Sequence, residues 1–154
     1  MLIATGCSSV EKQLNKLFGI DDGGTAQELA WEGMDAYENG KYDKAIDKFQ
    51  KLKDYYPFSK YAILAELKIA DCHYHRQEYG EAIFAYENFE QLHPRNEAIP
   101  YVIYQIGRCY FDQINTPDRD QTSAQKALEA FQRLMQQYPQ DPKYSADAPP
   151  PATS

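Results

Sequence analysis

One pattern occurs three times along this chain and constrains its fold more than any other feature. Ala-x-x-x-aromatic, with Pro eight residues after the aromatic, stands at Ala45/Phe49/Pro57, Ala82/Tyr86/Pro94 and Ala127/Phe131/Pro139. Upstream of each, a small residue precedes an aromatic by four: Gly33/Tyr37, Ala70/Tyr74 and Gly107/Phe111. The upstream pairs recur every 37 residues, whereas the downstream ones recur after 37 and then 45, so the third unit carries an eight-residue insertion. The insertion falls in Asn115–Gln121, a polar stretch with Pro117, as a loop should be. Residues four apart share one face of a helix. A small residue on the first helix lets the second approach, the ring one turn after the Ala fills the space between them, and Pro ends the unit because it cannot continue a helix.

Two helices in a unit of this length make the tetratricopeptide pattern, and three copies in register predict an all-α solenoid of three helix-turn-helix units. Helices are expected at 26–39, 42–55, 60–76, 79–92, 98–114 and 123–137, in units of about 25–58, 59–95 and 96–138. Thr25-x-x-Glu28 reads as a capping box, Ser59 as an N-cap, and Thr122-x-x-Gln125 as the opening of the last helix. Gly40 separates the first two helices. No strand periodicity competes. Residues 1–24 read as a signal-peptide remnant, lipidation site and linker, with a short helix near Val10–Phe18. The Pro-rich residues 139–154 read as a disordered tail. Helix 123–137 has no following unit in this pattern, so its outer face is expected to be apolar.

Composition removes several classes of function. No apolar run approaches the ~18 residues a membrane-spanning helix needs. The formal charge of −7 and pI near 4.9 argue against a nucleic-acid binder held by phosphate contacts. Cys72 and Cys109 hold equivalent positions on neighbouring helices, where packed axes lie roughly 8–10 Å apart; they read as small packing residues rather than a disulfide. His73 and His75 point to different sides of a helix, His93 precedes a proline, and no Cys/His clustering suggests a metal. Asp118-Arg119-Asp120 lacks the Gly and final Glu of a calcium loop. No phosphate loop, nucleophile elbow or catalytic triad is present, so neither an enzyme nor a cofactor is expected.

Such an array offers a groove lined by the first helix of each unit. Its inward positions are Ala30, Met34, Tyr37 and Glu38; then Leu64, Leu67, Asp71, Tyr74 and His75; then Tyr101, Tyr104, Arg108, Phe111 and Asp112. Tyr37, Asp71, Tyr74, His75, Tyr101, Tyr104, Arg108 and Phe111 are the candidate peptide-binding residues. Tyr and Arg combine large contact area with directed hydrogen bonds. Leu67 reads instead as packing between units.

Specific strings go beyond generic repeat spacing. Tyr56-Pro57-Phe58-Ser59-Lys60-Tyr61-Ala62-Ile63-Leu64-Ala65-Glu66-Leu67-Lys68, Leu92-His93-Pro94 with Ile99–Gly107, and Cys109–Gln113 with Asp118–Thr122 and Ala127–Phe131 resemble the BamD family of outer-membrane assembly lipoproteins, over about residues 25–144. The resemblance implies a non-enzymatic periplasmic scaffold of the β-barrel assembly machinery, lipid-anchored to the outer membrane on its periplasmic side. Its partners would be unfolded outer-membrane β-barrel precursors and other BAM subunits, with no nucleic acid among them. The family has five units, the N-terminal ones associated with precursor recognition and the C-terminal ones with docking BamA. Three units stand here, so the resemblance carries the recognition half and leaves docking to BamA in question. A different role, a generic cell-envelope scaffold binding folded partners, stays open at this point.

Leu2-Ile3-Ala4-Thr5-Gly6-Cys7-Ser8-Ser9 resembles a lipobox, with Ala4 where Leu is usual and only six residues before Cys7. Taken alone, this segment fits equally a lipidated Cys7 behind a shortened signal and a chance Cys near a terminus; the family resemblance favours the first. If Cys7 is acylated, Cys7→Ala in a secreted full-length form should move the protein from the membrane fraction to the soluble periplasm, because a multiply acylated Cys anchors stably. Unchanged fractionation would refute the lipobox.

Overall fold

The computed structural model describes residues 25–114 and 121–141. Among them are six α-helices and no strand: α1 Ala26–Glu38, α2 Tyr42–Tyr55, α3 Lys60–His75, α4 Tyr79–Leu92, α5 Ile99–Gln113 and α6 Gln121–Gln137. Each helix packs on the next in sequence, and α1 also touches α3. The fold is therefore the all-α, tetratricopeptide-like stack that the repeat predicts, with helix ends within two residues of the expected ones. Cys7, the Val10–Phe18 helix, the Asp118–Asp120 loop and residues 142–154 lie outside the described residues. Residues 139–141, read as tail, include a turn in which the Asp141 amide bonds the Tyr138 carbonyl.

Local sequence explains most of the boundaries. Thr25 Oγ1 accepts from the Glu28 amide at 3.2 Å and Glu28 Oε2 accepts from the Thr25 amide at 2.7 Å, closing the capping box. Ser59 accepts from the Tyr61 amide. Thr122 is a correction: α6 begins at Gln121, so Thr122 lies inside the helix rather than capping it. Gly40 ends α1 with φ +69°, and Gln77, its equivalent after α3, adopts φ +62°. Both sites share the pair of backbone bonds that turns the chain into the next helix: Lys41 N to Ala36 O, and Glu78 N to His73 O.

Within each unit a ring of the second helix lies on the small residue of the first. A Cβ at Gly33 would come within 2.5 Å of the Phe49 ring, and one at Gly107 within 2.8 Å of Phe131. Unit two has Ala70 and Tyr86 at these positions, both fully buried. Two apolar clusters result. One joins α1, α2 and α3 around Phe49 and Leu52; the other joins α3 to α6 around Tyr86, Phe89 and Ile103. Cys72 sits in the first and Cys109 in the second, both free and buried. Burial pushes each thiol up to about 12, so both stay protonated at neutral pH.

The two ends of the stack differ. Ala65, Ile69 and Cys72 of α3, and Val102, Ile106 and Cys109 of α5, are buried toward the preceding unit. The equivalent residues of α1 are Glu28, Glu32 and Asp35, all exposed, with Glu32 paired to Lys48. α1 thus presents a polar face where α3 and α5 present apolar ones. On α6, Ala124, Leu128 and Met135 form an apolar stripe that is exposed or half-buried, in line with the expected outer face.

Gly33→Ala and Gly107→Ala should each lower stability by about 1–3 kcal/mol, the scale of core overpacking. Urea denaturation reads this directly, and a parental midpoint would show that the rings are free to retreat.

Candidate functional site

The first helices of the three units, α1, α3 and α5, lie side by side and are stitched by tyrosine hydroxyls in a repeating register. Tyr37 Oη and His75 Nε2, 38 residues on, lie 3.1 Å apart. One unit later, Tyr74 Oη donates to Asp112 Oδ2 at 2.6 Å, again 38 residues on. The equivalent residue of unit three is Phe111, which has no hydroxyl and is 46% exposed. The ribbon of side chains therefore begins at Tyr37 and closes on an open ring at Phe111.

Around Tyr37 the groups are aromatic and cationic. Tyr42 stacks on His75 with centroids 5.0 Å apart, and the Lys68 ammonium sits 4.5 Å above the Tyr37 ring. Around Arg108 they are polar. Its Nη1 donates to Tyr104 Oη at 3.2 Å and its Nη2 to Tyr74 Oη at 3.1 Å, and Asp112 Oδ2 lies 3.6 Å away. The Tyr104 bond is the leading cause that raises the guanidinium pKa, so the cation is permanent. Its side chain is 40% exposed, which leaves the fork accessible from solvent. Burial, then the neighbouring carboxylates, pushes the Tyr37, Tyr74 and Tyr101 hydroxyls above their ordinary range; they remain donors at neutral pH.

Asp71 is placed differently from the groove position read in the sequence. It is 1% exposed and acts from beneath the ribbon. Its Oδ1 accepts from Tyr86 Oη at 2.6 Å and Tyr101 Oη at 2.8 Å, and its Oδ2 from Lys68 Nζ at 2.7 Å. A buried carboxylate with three donors is a structural anchor, not a ligand contact. It fixes Tyr101 and Lys68, and Lys68 in turn covers Tyr37. Ala30 likewise turns into the first apolar cluster, and Leu67 packs against the second, as expected.

The structure thus brings Tyr74, Tyr104, Arg108 and Phe111 into one surface, sets Tyr37 and His75 beside it, and holds Tyr101 partly buried under Gln105. Sequence reasoning missed Tyr42, Lys68 and Tyr86. A usable signal for Tyr86 existed: unit two has Tyr where the others have Phe, and Asp71 where they have Met34 and Arg108. It also left unassigned a second exposed aromatic edge, the turn after α2, where Phe58 is 101% exposed beside Tyr55 and Tyr56. Among the described residues no group of His, Cys, Asp or Glu could hold a metal, and no helix is long and apolar enough to cross a membrane.

Asp71→Ala should cost about 3–5 kcal/mol in urea unfolding, because it strands Lys68 and the buried Tyr86 hydroxyl and takes one partner from Tyr101. Asp71→Asn, which keeps an acceptor oxygen, should cost less than half of that; equal losses would mean that the charge itself holds the site.

The YfiO family, described as an outer membrane lipoprotein, matches residues 23–150. Relatives named outer membrane protein assembly factor BamD include one from Caulobacter vibrioides, 33% identical over 75% of this chain and 38% of its own length. One from Neisseria meningitidis is 26% identical over 95% of this chain and 58% of its own length, and one from Vibrio cholerae 28% over 79% and 54%. The chain spans about half the length of these relatives.

Proposed function

Because this chain belongs to the YfiO family of outer membrane lipoproteins, we propose that it is a non-catalytic scaffold of outer-membrane protein assembly that recognises unfolded β-barrel precursors. The names of its relatives support the assembly role. The observation that carries the recognition step is the ribbon ending at Tyr74, Tyr104, Arg108 and Phe111. An unfolded barrel precursor offers alternating aromatic side chains and a terminal aromatic beside a carboxylate. The rings of the ribbon receive the former, and the guanidinium fork receives the latter bidentately.

The geometry refines how this recognition works. Arg108 is not a bare charge waiting for a ligand; two tyrosine hydroxyls aim it and Asp112 partly neutralises it. An incoming carboxylate displaces Asp112 from its share of the fork. With a chain charge of −7, acidic ligands are disfavoured in general, and this local cation is what admits one. On this reading a lipid on Cys7 holds the scaffold at the periplasmic side of the outer membrane. Precursors and other BAM subunits are its partners.

Arg108→Ala should weaken binding of a C-terminal barrel peptide by about 1.5–3 kcal/mol, the scale of a charged hydrogen bond. Tyr74→Ala and Tyr104→Ala should cost about 1–2 kcal/mol each, whereas Asp112→Asn should tighten binding by freeing the fork. Calorimetry on variants with parental circular dichroism measures all four; unchanged affinity for Arg108→Ala and Tyr104→Ala would place the ligand elsewhere.

A further inference from the structure

On the side of the array away from the tyrosine ribbon, two grooves repeat in register. The first lies between α2 and α4 with α3 as its floor and has a volume of about 560 Å³; the second lies between α4 and α6 over α5 and measures about 750 Å³. Their walls correspond position by position: Ile69 with Ile106, Ala85 with Ala130, Lys53 with Glu90, and Asn88 with Arg133. On α3 the residues facing the groove, Ile69 and His73, lie on the opposite side of the helix from Asp71 and Tyr74.

The second groove is crossed by an ion pair of its own charges. Arg133 donates to both carboxylate oxygens of Glu90, at 2.8 and 3.1 Å. In the first groove that pair is absent. Lys53 takes the place of Glu90, Asn88 takes the place of Arg133, and among the described residues no carboxylate pairs with Lys53. The wall also changes. Phe84 stands where units one and three have Asp47 and Glu129, and it is 67% exposed, as is Leu92 two turns further along α4. A groove crossed by an ion pair has become a smaller, more apolar one in which Lys53 has no carboxylate partner among the described residues; Glu66, held by His93, His73, held by Glu78, and Glu81 complete its charged lining.

We infer that the α2–α4 groove is a docking site for a partner-protein segment presenting a large apolar side chain next to an aspartate or glutamate. The apolar group lies along Ile69, Phe84 and Leu92. The carboxylate meets Lys53, forming with the partner the kind of ion pair that Glu90 and Arg133 form within the chain. Volumes of this size accept an aromatic side chain and its neighbours; ligand sites fall at roughly 300–1,000 Å³. The α2 wall favours such an occupant at Lys53, while Glu66 and Glu81 line the α3 and α4 sides. Residues 41–60 hold six lysines against three aspartates in a chain of net charge −7. The site is separate from the ribbon, so its failure leaves the precursor-binding reading untouched.

The test uses the full chain and an acetylated, amidated Ala-Ala-Phe-Glu-Ala-Ala peptide followed by amide NMR shifts. Saturable shifts should fall on Lys53, Ile69, Phe84, Asn88 and Leu92. Affinity should drop at least tenfold when Gln replaces Glu in the peptide, and similarly for Lys53→Gln. Asn88→Glu is the decisive variant: its new carboxylate should pair with Lys53 and take the place of the peptide's glutamate, lowering affinity at least tenfold while leaving the dispersed spectrum of a folded protein. No saturable shifts, shifts confined to Tyr74, Tyr104 and Arg108, equal affinity for the Gln peptide, or undiminished binding to Asn88→Glu would each overturn the proposal.

Discussion

Everything in this molecule rests on one steric fact: in two of its three units a phenyl ring occupies the volume where a Cβ would be. The ring of Phe49 lies against Gly33, and that of Phe131 against Gly107. This contact sets how closely the two helices of a unit approach, and so which residues of the first helix are left to face the next unit. With the spacing set, positions 65, 69 and 72, and their equivalents one unit on, become interior. The tyrosines of α1 and α3 come within hydrogen-bond reach of the neighbouring helix.

Unit two shows what happens when that contact is varied. Ala70 replaces glycine and Tyr86 replaces phenylalanine, and the added hydroxyl finds Asp71 one position along α3. A purely apolar contact has acquired a polar core. That core extends upward through Tyr101 and Lys68 to the surface where the ribbon of rings is displayed. Burying a carboxylate is costly unless its oxygens are fully answered. Here three donors answer it, and two of them help shape the exposed ribbon. The central unit therefore links the packing of the array to the arrangement of its candidate binding surface.

Much of this was legible in the sequence because the repeat supplies its own internal comparison. Spacing alone predicts six helices, and the capping residues Thr25 and Ser59 behave as their side chains dictate. Thr122 misleads because an N-cap is recognised by where the helix starts, and the insertion before α6 removes the repeat as a guide to that start. Asp71 misleads for a different reason. Its helical register points toward the groove, but two tyrosines from other helices, 15 and 30 residues away in sequence, reach over it. Periodicity gives the direction of a side chain and not what lies above it. Arg108 was identifiable as the cation of the face. Its contacts with Tyr104 and Asp112 follow from i, i+4 spacing along α5, whereas the Tyr74 bond depends on how α3 and α5 settle against each other, which spacing does not specify.

The carboxylates on α1 have a consequence for how copies of this molecule can meet. A repeat stack whose two ends were both apolar could add copies end on end without limit, as a heterologous contact that never closes does. Here the apolar stripe of α6 would have to cover Glu28 and Asp35, withdrawing unpaired charges from water at several kcal/mol each. Addition of a second copy against the α1 face is thereby opposed by its carboxylates.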